Sequence, residues 1–72
     1  MTTQQQLLQE LNQRIKKYQQ TPQDIPNLKK LGGLYFRLGK LPEARQAFEF
    51  ALQFQPFDTD LHYKLGMSYL KT

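Results

Sequence analysis

Slid against itself by 34 residues, this chain meets its own punctuation. Pro22 falls on Pro56, Asp24 on Asp58, Lys30 on Lys64, Leu31 on Leu65, Gly32 on Gly66 and Tyr35 on Tyr69, with Arg37 on Lys71. Seven matches within the sixteen positions from 22 to 37 restrict the fold more than any single residue does. A period of this length belongs to supersecondary units that cannot bury their apolar faces alone and stack to do so.

Composition says which units. The chain has no Val and no Trp, two Ile, and five Thr confined to the N-terminus, turn regions and the last residue. Sheets favour β-branched residues, so strands are poorly supported. Leu, Lys, Ala and eleven Gln all propagate helix well. The expected fold class is all-α.

Four prolines, at 22, 26, 42 and 56, divide the chain. Proline is tolerated in a first turn or a connection and breaks a helix interior. The first helix is expected from about Thr3 to Gln19, with Thr3 and Gln6 forming a capping box. Leu7, Leu8, Leu11, Ile15 and Tyr18 give it one apolar stripe. That stripe is too short for a coiled coil and reads as a face packed on its own domain. The second helix is expected from about Asp24, its N-cap, to Leu38. Gly39 follows in the position where a left-handed residue closes a helix. The third runs from Pro42 to near Gln55, and the fourth starts near Asp58 or Thr59. Short connections imply antiparallel neighbours.

Within this frame the large and small residues fall in a definite order. The second helix carries Leu28, Leu31-Gly32 and Tyr35; the third carries Ala44, Phe48 and Ala51, followed by Pro56. Gly32 and Ala44 are small where helices approach closely, and Phe48 and Tyr35 are the knobs that fill the space. Gly32 and Gly33 each cost roughly 1 kcal/mol against Ala in a helix interior, so close packing has to compensate. This pattern resembles the tetratricopeptide repeat (TPR), with Leu28 standing for the family's usual Trp. Residues 25–58 resemble one complete repeat. His62, Leu65, Gly66 and Tyr69 in residues 59–72 resemble the first half of a second. Upstream the match fades, because Glu10, Arg14 and Lys17 occupy the Ala, Phe and Ala positions.

The expected architecture is therefore an antiparallel helix-turn-helix, TPR-like array of about four helices in one domain, 1–72. Residues 1–21 form a capping or diverged helix, 22–58 a full repeat and 59–72 a half repeat. The resemblance implies a non-catalytic scaffold that binds a protein or peptide in the concave groove lined by the first helix of each repeat. Lys29, Gly33, Phe36 and Arg37 would line it, with Tyr63, Met67, Leu70 and Lys71 from the half repeat. Its cations favour an acidic partner. A chaperone-binding carboxylate clamp is not expected, since Gly33 and Met67 stand where the clamp's Asn belongs.

No complete repeat follows the fourth helix, so either the first helix covers Leu65 and Tyr69, or these two form an exposed face that could serve self-association. Three explanations compete: self-association, docking on another protein, or a piece of a longer array. A homo-oligomer, a swapped or C2-symmetric dimer, is the preferred expectation.

The remaining chemistry is sparse. The formal charge is +4. Between Leu11 and Pro42 seven cations (Arg14, Lys16, Lys17, Lys29, Lys30, Arg37 and Lys40) face one anion, Asp24. A basic nucleic-acid-binding accessory is thus a weaker alternative, with no reader motif to support it. With no Cys and one His, neither a thiolate metal site nor a nucleophile–base pair is expected, and Ser68 lacks a base. His62 reads as a partly buried packing residue, and Asp58 and Asp60 as first-turn acids that complement the helix dipole. No cofactor, metal or enzymatic activity is expected. The N-terminus lacks a signal-peptide pattern and no apolar run reaches membrane length, so a cytoplasmic location is the default.

Overall fold

The computed structural model describes residues 3–71, and every element in it is a helix. α1 spans Thr3–Gln20, α2 Ile25–Arg37, α3 Leu41–Phe54 and α4 Thr59–Leu70. The expected boundaries hold to within a residue or so. The capping box expected of Thr3 with Gln6 lies outside the described residues, because the Thr3 side chain is not among them.

The repeated punctuation does the same work twice. Asp24 and Asp58 are both extended N-caps, and each carboxylate accepts the backbone N–H three residues on, Asn27 and Leu61, at 3.1 Å. Gly39 closes α2 with φ 78°, which no other described residue needs. Around it Lys40 N–H reaches the Tyr35 carbonyl at 2.8 Å and Gly39 N–H the Phe36 carbonyl at 3.1 Å. This is the Schellman closure that a glycine at this position allows.

Neighbouring helices pack antiparallel. The α2–α3 hairpin has the most extensive contact, followed by α3–α4 and α1–α2. Among the described residues the α1 backbone approaches only α2. Two clusters form the core. One joins Leu28, Ala44, Phe48, Ala51 and Leu61 across α2, α3 and α4. The other joins Leu11 of α1 to Leu31 and Leu34 of α2. Burying a side chain the size of Leu28, Phe48 or Leu61 is worth about 1.5–3 kcal/mol.

The knob-and-socket reading of the pattern is visible at Gly32. A Cβ there would lie 2.7 Å from Phe48 Cζ and 2.8 Å from Cδ1, so the ring occupies the space a side chain would need. Phe48 is 1% exposed, and Ala44 and Ala51 are wholly buried beside it.

α1 docks on α2 by its expected stripe, with Leu11 buried and Leu7, Ile15 and Tyr18 half-buried. Leu8 lies outside the seam and is exposed. A polar lock supplements this contact. Asn27, 2% exposed, donates Nδ2–H to the Arg14 carbonyl at 3.1 Å and accepts from the Arg14 guanidinium at 3.3 Å. Both buried polar side chains are satisfied, since the Ser68 hydroxyl donates to the Lys64 carbonyl at 3.0 Å.

Candidate functional groove and open helix face

The 3.6-residue period gives α2 and α4 the same three faces. On α2, Asn27, Leu31 and Leu34 meet α1; Leu28 and Gly32 meet α3; and Lys29, Gly33 and Arg37 line the third face. On α4, Leu61, Leu65 and Ser68 meet α3, and Tyr63, Lys64 and Met67 face the same depression as the α2 groove residues.

That depression holds about 350 Å³. Gly33, Phe36 and Arg37 form one wall, Tyr63, Lys64 and Met67 the other, and the Phe48 ring the floor. Gly33 has nothing within 4 Å of where its Cβ would be, so it leaves a notch in the α2 wall. Five of the eight residues expected in the groove thus meet in one hollow. Lys71 stands at its end, with its ammonium 5.8 Å from the Phe36 ring centroid. Leu70, 81% exposed, does not join the hollow. Lys64 was not anticipated from sequence.

Lys29 shares the face of Gly33 and Arg37, but its charge is engaged within the chain. Its ammonium is 2.8 Å from the Asp58 carboxylate and 3.6 Å from that of Asp60. The hydrogen bond to Asp58 raises the Lys29 pKa, and the same bond, with the Leu61 N–H, lowers that of Asp58. Its charge is engaged in tying the α3–α4 turn to α2. Asp58 and Asp60 accordingly do more than complement a dipole. Lys17 is likewise 3.4 Å from Asp24. Of the seven cations between Leu11 and Pro42, Arg14, Lys17 and Lys29 therefore face intramolecular carboxylates. Lys30 and Arg37 have no ion pair among the described residues; both line the surface adjoining the hollow, together with Glu10 and Asp60.

Of the two residues expected on an exposed face, Leu65 turns toward α3, whereas Tyr69 is 54% exposed. Leu65 is half-buried against the Phe48 cluster. The Tyr69 hydroxyl donates to Glu49 at 3.0 Å, which raises its pKa, and its ring lies under the Arg45 guanidinium at 5.0 Å. The uncovered face of α4 is instead Thr59, His62, Gly66 and Leu70, all exposed. His62 is thus not half-buried as the pattern suggested. No described helix covers it, and its Nε2 lies 2.7 Å from the Pro56 carbonyl.

A second hollow, of about 290 Å³, was not legible in the sequence. It lies between α1 and α3 over Leu28, Leu31 and Tyr35, where Tyr18 meets Phe50 edge-on at 6.0 Å.

Among the described residues no group of three or more His, Asp or Glu could hold a metal ion, and no helix is long and apolar enough to cross a membrane.

Paired antiparallel helices, a small-to-large socket and a 34-residue period define a helical-repeat scaffold. The TPR repeat family model matches residues 32–72, more than half of the chain. The chain belongs to the tetratricopeptide-repeat family. Neither the curated proteins nor the solved structures offer a match. Membership implies a protein–protein interaction module, in a family that is typically non-catalytic.

Proposed function

We propose that this chain is a non-catalytic module that binds an extended peptide or protein segment in the groove between α2 and α4. The observation that carries this reading is the hollow floored by Phe48, with the Gly33 notch on one side and Tyr63 and Met67 on the other. Aromatic and thioether surface supplies adaptable contact area around an apolar anchor. Lys30, Arg37 and Lys71 around the groove favour acidic groups flanking that anchor. Lys29 contributes less, since Asp58 and Asp60 hold it.

The test uses two labelled peptide pools of equal length, each with a central Leu or Phe. One pool is flanked by Asp/Glu and the other by Lys. Fluorescence anisotropy should show saturable binding of the acidic pool, weakening with salt. Combining Phe36→Ala with Met67→Ala should weaken it at least about tenfold, the effect of losing ~1.4 kcal/mol. Equal binding of both pools, or indifference to the double substitution, refutes the groove assignment.

A further inference from the structure

The hollow between α1 and α3 differs in charge from the surface around the groove. The chain carries a formal +4, and the groove side presents Lys29, Lys30, Arg37 and Lys64. No described Lys or Arg lines the α1–α3 hollow, and its one charged residue is Glu43. Glu43 has no ion pair among the described residues. It sits in the first turn of α3, where the helix dipole favours a carboxylate with or without a ligand.

Three aromatic rings accompany that carboxylate, one from each helix. Tyr18 of α1 and Phe50 of α3 meet edge-on, with centroids 6.0 Å apart and planes at 81°, so they stand as two adjoining walls. Phe54 braces Phe50 in the same edge-on manner at 5.1 Å. Tyr35 of α2 lies on the floor beside Leu28 and Leu31. Burial, and secondarily the Glu43 carboxylate, holds the Tyr35 phenol above its ordinary value, so its ring stays uncharged at neutral pH. Aromatic faces carry partial negative charge and attract cations.

We infer that this hollow binds a small quaternary ammonium ligand, its methylated head held among Tyr18, Tyr35, Phe50 and Glu43 and its stem against Leu28 and Leu31. A quaternary head has no N–H to satisfy, and its methyl groups match an apolar lining. A primary ammonium would bring three donors to a site with a single carboxylate. The lining spans about one turn of α1, residues 15–19, and two turns of α3, residues 43–50. Its volume of about 290 Å³ lies at the small end for ligand sites, which favours a compact ligand over a peptide. The hollow shares no lining residue with the one floored by Phe48, so this site stands apart from the groove.

Choline is the probe, titrated into the intact, isotope-labelled chain and followed by amide chemical shifts. Saturable shifts should fall on residues 15–19 and 43–50 and spare residues 63–67. The uncharged isostere dimethylbutanol, with carbon in place of the nitrogen, should bind at least about tenfold more weakly. Glu43→Gln, at an exposed position, should weaken choline about fivefold and leave the isostere unchanged. Tyr18→Leu keeps apolar bulk on α1 but removes a ring, and should weaken choline by a similar factor. Phe36→Ala with Met67→Ala should leave choline binding intact, whatever becomes of the groove peptide. Equal binding of choline and its isostere overturns the proposal, as does indifference to both Glu43→Gln and Tyr18→Leu. No saturation up to roughly 50 mM choline also overturns it. A trimethyl-lysine peptide that binds at least about tenfold more tightly than choline overturns the small-ligand assignment in favour of a protein side chain.

Discussion

Gly32 and Gly66 occupy the same place in the repeat, so replacing each by alanine asks one question of two environments. Both substitutions remove the entropic cost of a helical glycine, a gain of about 0.5–1 kcal/mol. At Gly66 that gain stands alone, because the new methyl enters open space. At Gly32 the methyl would lie 2.7 Å from Phe48 Cζ, closer than real Cβ contacts come. Phe48 is 1% exposed and packed on Ala44 and Ala51, so its ring can retreat only toward the hollow that it floors. Overpacking of this kind costs about 1–3 kcal/mol. Gly32→Ala should therefore be neutral to destabilising by up to about 2 kcal/mol, while Gly66→Ala stabilises. In a domain of this size 1 kcal/mol moves Tm by roughly 4–8 °C. Far-UV circular dichroism melts, at a concentration where sedimentation shows a monomer, should place the Gly66→Ala midpoint above wild type and that of Gly32→Ala at or below it. If Gly66→Ala lowers Tm as much as Gly32→Ala does, the face is already filled and the vacant-socket reasoning fails.

The other expectations use the same measurements. Gly33→Ala should raise Tm by a similar few degrees, because its methyl also meets nothing, yet weaken an acidic groove peptide by filling the notch; stabilisation without loss of binding would put the ligand elsewhere. Asn27→Ala removes both hydrogen bonds to Arg14 and should cost about 1–3 kcal/mol, with α1 cleaved first in limited proteolysis; unchanged protection of α1 would show that Leu11 and its neighbours suffice. Asp58 is held below its ordinary value of 3.8 by Lys29 and the Leu61 N–H. A depressed carboxylate stabilises the fold fully above its unfolded pKa and loses that contribution as pH falls through the folded one. Tm should therefore drop below about pH 4, and Asp58→Asn should flatten that drop. An unchanged acid limb would place the effect on other carboxylates.

The periodicity announced the fold because the residues that carry it act locally. Asp24, Asp58, Gly39 and the prolines set helix ends by capping and by restricting φ, and those rules need no knowledge of distant parts of the chain. The Gly32–Phe48 socket was legible for a related reason: the repeat fixes which helices touch. The groove was partly legible. Gly33, Phe36, Arg37, Tyr63 and Met67 share a face by helical spacing, and that face stays open. Lys29 escaped because its partners, Asp58 and Asp60, come from the next repeat, across a turn whose direction spacing alone does not give. Leu65 was misplaced for an opposite reason. It belongs to the motif, and motif residues were taken to mark the side left uncovered, whereas positions 31 and 32 mark two sides. Leu31 faces α1 and Gly32 faces α3, one residue apart. Leu65 follows Leu31 and is covered by α3, leaving Gly66 and its neighbours bare.

That one-residue distinction makes the two ends of the array unequal. At the α1 end the stripe of Leu7, Leu11, Ile15 and Tyr18 is spent on α2, and the positions that would receive a preceding repeat hold Glu10, Arg14 and Lys17. Arg14 and Glu10 pair with each other at 3.8 Å, and Arg14 also bonds Asn27, so its charge is used where it stands. Desolvating this set beneath another helix would cost several kcal/mol per ion. At the α4 end the corresponding surface is Thr59, His62, Gly66 and Leu70, with no formal charge when the imidazole is neutral and a gap where a ring fits. A helix arriving from solution therefore meets a high electrostatic barrier at one end and a low one at the other.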